Sequence, residues 1–266
     1  ESKVLLIDEP EINMHPAVIR AACDAIYALA KLDGWQVICT THTPIFIDLT
    51  KDHTTLIKVS NLHENTLHFQ TDKSTFSNDE KENLKFLNRC CPSVNEFFFY
   101  ETSLLVEGDT EYLAYNDQIK RNDLSMTHCV INCRGKANIP TFIKIFNQFG
   151  ANAIAVHDLD TKLNKNNGKN AMWTINERIR EAADNTEGRV KTLVHIPDFE
   201  GYYLNESPQK DKPYNLFKHI TAPDFETNVK YERLRSSLSD IQLGIHEGFY
   251  TKVSELEEKF DVTEII

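Results

Sequence analysis

The sequence predicts an α/β fold, with a short opening unit followed by a parallel sheet flanked by helices. Three observations predict it. In the second half, apolar runs alternate with longer amphipathic stretches, which is the pattern of βαβ units. Near the start, two apolar runs are separated by one helix-length stretch. The 266 residues, 41% hydrophobic and 26% charged, supply material for one large or two ordinary cores and exclude disorder for most of the chain.

Each element has a local reason. Val4-Leu5-Leu6-Ile7 reads as a central strand, buried on both faces, and ends in Asp8-Glu9-Pro10. So few residues precede it that the chain is expected to be the C-terminal part of a longer protein. Pro16 suits the first turn of a helix to about Lys31. Gln36 to Thr40 forms the next strand, followed by Thr41, His42 and a turn at Pro44. Residues 54–59 and 66–69 suggest a strand pair turning at Glu64-Asn65. The polar stretch 71–92 lacks Gly and reads as a connecting helix ending near Cys91-Pro92. Beyond it, strands are expected at 103–107, 128–132, 152–157 and 190–196. Helices are expected at 111–121, 138–148, 170–184, 214–220 and 224–238. The Asn- and Lys-rich run 162–169 reads as an exposed loop. Leu234, Leu238, Ile241 and Ile245 recur at helical spacing, as a core or self-association face does.

The net charge, 29 − 40 = −11, argues against grip on nucleic acid through a broad basic surface. No apolar run approaches the roughly 20 residues that span a bilayer, so no membrane partner is expected. With no secretory signal visible, the six cysteines are expected to be reduced thiols of a cytoplasmic protein. Cys129 and Cys133 are expected to be buried strand residues rather than zinc ligands.

Two constellations carry chemistry. In the first, Asp8 follows a buried strand, where it can hold Mg²⁺ through water, and Glu9 can polarise a water for attack on phosphate. His42, after the second strand, can reach a γ-phosphate. Alone, an acid pair at a strand end is an ordinary turn. The joint pattern over residues 3–60 resembles the ABC-type ATPases, with Asp8 and Glu9 at the Walker B acids, Glu11 to Pro16 at the D-loop and His42 at the switch histidine. The chain departs from that family in having no G-x-x-x-x-G-K-[ST] loop and no signature motif, so the backbone cradle for phosphate is missing. ATP is therefore expected only in a full-length protein.

In the second, a strand ends in Glu107-Gly108, with Glu111 four residues on. Another ends in Asp158-Leu159-Asp160, and a third leads into Pro197-Asp198-Phe199-Glu200. A parallel sheet places all these ends on one edge, gathering about five carboxylates. Like charges there repel and raise one another's pKa, so the cluster calls for cations. Oxygen-only donors select Mg²⁺ or Mn²⁺ over zinc, and two such ions can cleave a phosphodiester. Lys212 is the candidate to offset transition-state charge, and Lys136 is a second basic candidate. Singly, Glu107-Gly108 is a turn, Asp158-x-Asp160 a helix cap and Lys212 a solvated lysine. Order and spacing together favour a metal site.

This half resembles the Toprim domain, and the Glu107 and Asp158-x-Asp160 motifs carry the resemblance. A Toprim domain behind an ABC ATPase looks like the OLD (overcoming lysogenization defect) nucleases, a family that includes the Gabija nuclease subunit and retron-associated effectors. Asn95 to Tyr100, Val106 to Glu111, Pro197 to Glu200 and Lys212-Pro213 are similar to that family's patterns. The resemblance implies an ATPase tail at 1–70, a helical linker at 71–100, a Toprim domain at 101–222 and a helical extension at 223–266. It implies metal ligands Glu107, Glu111, Asp158, Asp160 and Glu200, with Lys212 at the transition state. Glu111 stands where many Toprim proteins carry Asp, and Asp109 has no assigned role.

The implied function is a Mg²⁺- or Mn²⁺-dependent DNA endonuclease in antiphage defence. It would be a homodimer or higher homo-oligomer, with a helicase or retron partner in some systems. Alternatives are an ATP-driven DNA-binding or clamp protein with a non-catalytic Toprim domain, and a Toprim topoisomerase or primase.

Overall fold

A computed structural model describes all residues except 1, 49, 50, 52, 63, 64, 73, 75, 91, 164–167, 169, 207, 209 and 264–266. Outside the described residues lie Glu64 of the expected turn, Cys91 at the expected helix end, and residues 164–167 and 169 of the expected loop. The chain forms two compact units, 1–99 and 100–266. Among the described residues no helix is long and apolar enough to cross a membrane.

In the first unit, strand β1 (Lys3–Ile7) pairs in parallel with β2 (Trp35–Cys39) through helix α1 (Pro16–Leu29). His15 caps α1, its Nδ1 accepting the Ala17 amide at 3.3 Å, and Pro16 supplies the first turn. Cys23 and Tyr27 of α1 pack against Phe46, and the Tyr27 hydroxyl donates to the Phe46 carbonyl at 2.7 Å. An antiparallel pair follows, β3 (Ile57–Leu62) with β4 (Asn65–Gln70). Helix α2 (Asn78–Cys90) then precedes a 3₁₀ segment, Pro92–Phe99. In this chain Val4 is 59% and Leu6 71% exposed, and β1 has one sheet neighbour, β2, among the described residues.

The second unit is built on a five-stranded sheet. Its strands are β5 (Thr102–Val106), β6 (His128–Asn132), β7 (Asn152–Asp158), β8 (Val190–His195) and β9 (Phe249–Tyr250), in the order β6-β5-β7-β8-β9. The first four are parallel and β9 runs antiparallel to β8. Helix α3 (Asp109–Arg121) links β5 to β6, α4 (Ile139–Gln148) links β6 to β7, and α5 (Ala171–Asp184) links β7 to β8. After β8 come α6 (Phe199–Leu204), α7 (Lys212–Ile220), α8 (Glu232–Leu243) and, past β9, α9 (Val253–Thr263). Leu104, Val106, Val130, Val156 and Leu193 project from one sheet face into a core closed by α3, α6, α7 and α8. On the opposite face α4 packs against β7 and α5 against β8. The strands read as apolar runs because both faces are covered.

The helix expected at 224–238 begins later. Turns occupy 221–227, and α8 starts at Glu232. Leu234, Leu238 and Ile241 enter the core, but Ile245 is 66% exposed, because Gly244 ends α8 at φ 71°, in the left-handed region that suits glycine. Residues 223–266 also supply the edge strand β9, which a two-residue length hides from any periodicity argument.

Candidate active site

Strand order fixes where the acids meet. The chain leaves β5 for β6 on one side and returns to β7 on the other, so a crevice opens beyond the carboxyl ends of β5 and β7. Glu107 follows β5 directly, Asp158 ends β7, and Glu111 sits in the first turn of α3. One ligand oxygen from each lies within 4.8 Å of the others. Glu107 Oε2 accepts the Asp158 amide at 3.2 Å, which ties the two strand ends together. Asp158 Oδ1 accepts the Phe199 amide at 2.9 Å, which brings the start of α6 into the site.

The other two predicted acids are held by lysines. Asp160 adopts φ 62°, a conformation Asp tolerates, and its Oδ2 meets Lys136 Nζ at 2.5 Å. Lys136 is 1% exposed and also donates to the Asp158 carbonyl at 2.6 Å. Gly135 at φ 119° makes the bend that sends Lys136 inward, where a side chain at 135 would be strained. Glu200, 2% exposed, accepts from Lys212 Nζ at 2.8 Å through Oε2. Its Oε1 is buried with no hydrogen-bond partner among the described residues. Asp198 caps α6 through the Gly201 amide at 2.8 Å and accepts from Lys212 at 3.4 Å. A Cβ on Gly201 would lie 2.9 Å from the Asp198 carboxylate, so a side chain there would push on the cap. Asp109 points elsewhere, pairing with Arg134 at 2.9 Å and Asn132 at 2.7 Å.

In the first unit, the ends of β1 and β2 bring Asp8, Glu9 and His42 together. Thr40 Oγ1 donates to Asp8 at 2.5 Å and accepts the Glu9 amide at 3.1 Å. His42 Nε2 lies 3.0 Å from Glu9. Glu11 Oε1 accepts from Thr41 Oγ1 and the His42 amide, both at 2.7 Å. Those bonds hold Glu11 below the usual carboxylate range against the opposing effect of burial.

Residues 98–160 match the family model "Overcoming lysogenization defect protein-like, TOPRIM domain". The second unit carries an OLD-like Toprim domain. The match takes in Glu107, Glu111, Asp158 and Asp160 and stops short of Glu200 and Lys212. Residues 1–47 match an AAA ATPase domain, spanning Asp8, Glu9 and His42. The chain is 26% identical over 243 residues to an OLD nuclease of Thermus scotoductus, covering 83% of this chain and 44% of that protein. It is 27% identical over 245 residues to the Old nuclease of Escherichia phage P2, covering 90% of this chain and 39% of that protein. The chain thus spans less than half the length of these curated relatives.

Electrostatics in the Toprim domain are dominated by burial. Burial, then Asp158, lift Glu107 to about 7, with Lys136 opposing. Burial, then Asp158, lift Glu111 to about 8, although the first turn of a helix favours an anion. Burial, then Asp198 and Glu200, lift Asp158 to about 7, against Lys212 and Lys136. Desolvation and mutual repulsion therefore outweigh the helix dipole. The sign for stability follows. An acid whose folded pKa lies above its unfolded value costs nothing below the unfolded pKa and costs most above the folded one. The metal-free protein is expected to lose several kcal/mol, in order of magnitude, as pH rises from about 4.5 to about 8. Melting curves across that range check this, and a Glu111→Gln variant should show a visibly shallower fall. An equal slope in the variant would refute the cause.

Sequence reasoning missed the wall behind the acids. His195, fully buried, is pushed down to about 3 by burial and is therefore a neutral ring at physiological pH. Its Nε2 meets the Tyr115 hydroxyl at 3.1 Å, and its Nδ1 lies 3.6 Å from Asp158. Tyr115 also meets Tyr203, which bonds His246 at 3.0 Å. His195 ends β8, so strand position was the available signal. Lys136 was visible only as a basic group past a strand, with nothing to mark it as buried. Cys129 on β6 and Cys133, just past its end, are buried, and Cys129 Sγ lies 3.2 Å from the Ser103 hydroxyl. Neither joins the Glu107-Glu111-Asp158 grouping found among the described residues.

Proposed function

We propose that the chain is the nuclease part of a metal-dependent DNA endonuclease that hydrolyses phosphodiester bonds at the β5–β7 crevice. The observation that carries the reading is the convergence of Glu107, Glu111 and Asp158 within 4.8 Å at the topological switch point of a parallel sheet. The donor set fits a hard cation. It is all carboxylate oxygen, its members resist ionisation without a counter-charge, and Glu200 Oε1 is buried and unsatisfied. Glu107, Glu111 and Asp158 would hold one Mg²⁺ or Mn²⁺, with Asp160 and Glu200 toward a second. When bound, such ions supply an activated water and stabilise the leaving oxygen.

The chain's own residues do the rest. Lys212, kept protonated by Glu200, Asp198 and Asp158 despite partial burial, places a cation at the cluster where phosphate charge develops. Lys136 fixes the Asp158-Leu159-Asp160 turn by gripping its carbonyls and carboxylate. His195, fully buried and neutral, sits 3.6 Å from Asp158. The acids at 8 and 9 with His42 suit an ATPase that regulates cleavage in a full-length, cytoplasmic homo-oligomer. Antiphage defence, alone or with a helicase or retron partner, is the biological setting we infer. The test is nicking of supercoiled plasmid with Mg²⁺ or Mn²⁺ and its loss on chelation. Metal-independent nicking would refute the metal site, and absence of nicking with calorimetry showing no divalent site in the second unit would favour a clamp with a non-catalytic Toprim domain instead.

A further inference from the structure

The sheet has a second edge that cleavage does not use. Thr102, His128 and Asn152 open β5, β6 and β7, so they lie at the amino ends of the strands, away from the acids. At about 3.3 Å per residue, the length of β5 separates the two edges by roughly 17 Å. Strand pairing aligns His128, Thr102 and Asn152 in one row, and Leu104, Ile154 and Lys191 in another two residues along. Rows two residues apart share a face, and on this face Leu104 and Ile154 belong to the same core as Leu238 and Ile241 of α8. Between the rows and α8 lies a pocket of about 390 Å³, a size that suits a small molecule.

The pocket is divided in character. Leu104 and Ile154 from the sheet and Leu238 and Ile241 from α8 line it with apolar surface. Arg189 and Lys191 bring positive charge. No Asp or Glu is among its described lining residues, although 40 of the 266 residues are acidic. Lys191 joins no ion pair among the described residues, and its Nζ lies 6.0 Å from the Phe249 ring. Arg189 meets Glu187 at 3.1 Å, but that carboxylate is 83% exposed, and a surface pair of this kind holds its members weakly. Arg189 Nε is buried with no hydrogen-bond partner among the described residues, so one donor of the guanidinium is unmatched.

We propose that this pocket is a binding site for a small organic anion, one with an aromatic or aliphatic body and a single carboxylate, sulfonate or phosphate group. The body lies between the sheet and α8, and the charged group lies at Lys191 and Arg189. Charge complementarity selects this occupant: a cation would meet two positive side chains and no carboxylate, and a neutral apolar molecule would leave both charges without a partner. The site is independent of the nuclease reading, because it shares no residue with the acid cluster.

The experiment is fluorescence titration of the whole chain, in chelator, with three probes. Anilinonaphthalene sulfonate carries body and charge, N-phenylnaphthylamine carries the body alone, and inorganic phosphate carries the charge alone. The sulfonate should bind at least about 10-fold more tightly than either of the others. It should also slow amide hydrogen exchange in α8 and at the amino ends of β5 and β7. Arg189→Gln/Lys191→Gln should weaken the sulfonate about 10-fold and leave N-phenylnaphthylamine within about twofold. Asn152→Trp, a change at an exposed position that narrows the mouth, should weaken both dyes at an unchanged melting temperature. The proposal is overturned if the glutamine variant binds the sulfonate normally, or if the neutral dye binds as tightly as the sulfonate. It is overturned if phosphate alone binds as tightly, or if exchange slows elsewhere and not at α8. Loss of sulfonate binding as the chain self-associates in sedimentation would overturn it in favour of a second copy as the occupant.

Discussion

Glu107→Gln should lower metal-dependent plasmid nicking by about 10³-fold or more while leaving the metal-free protein as stable or more stable above neutral pH. The activity loss follows from removing one charged oxygen from a three-carboxylate grouping, where about 4 kcal/mol of charge stabilisation corresponds to 10³ in rate. The stability gain has the opposite sign because burial and Asp158 lift this carboxyl to about 7, so ionising it costs the folded state. A neutral isostere removes that cost. Rate and melting temperature measured on one preparation check both halves. Full activity in the variant would discard the site, and lower stability at pH 8 would discard the electrostatic account.

Lys136→Met should cost about 2–3 kcal/mol, roughly 5–10 °C in melting temperature, and abolish nicking at ordinary metal concentrations. The side chain is fully buried and satisfies the Asp158 carbonyl and the Asp160 carboxylate together. Methionine fills the volume and leaves both acceptors without a donor. Asp160 retains some exposure, so the cost falls short of that for a fully buried pair. Activity should return partly at high Mg²⁺, since a cation can replace the lost charge. A variant as stable and active as wild type would show that the Asp160 turn holds itself.

Much of this arrangement was legible in the residues, for physical reasons. Strands covered on both faces must be apolar, so β5 to β8 declared themselves, and parallel pairing forces their carboxyl ends to one edge. Glu107, Glu111 and Asp158 could therefore be grouped from the sequence, whereas Asp160 and Glu200 pair with Lys136 and Lys212. What stayed hidden depends on three-dimensional burial. Lys136 reads as a surface residue until Gly135 turns it inward. Glu200 and Lys212 lie a helix apart, and their contact is visible only after α6 and α7 fold back.

The antiparallel strand β9 has a consequence for biosynthesis. Tyr250 pairs with Thr192, and its hydroxyl bonds His157, directly before Asp158. Leu256 closes the same cluster as Trp173 and Val194. A chain emerging from the ribosome carries every acidic ligand well before it carries Tyr250 and Leu256. Until those residues emerge, β8 has a bare edge and β7 lacks the contact that seats His157. The edge of β8 and the seat of His157 are therefore the last parts of this unit to be completed during synthesis.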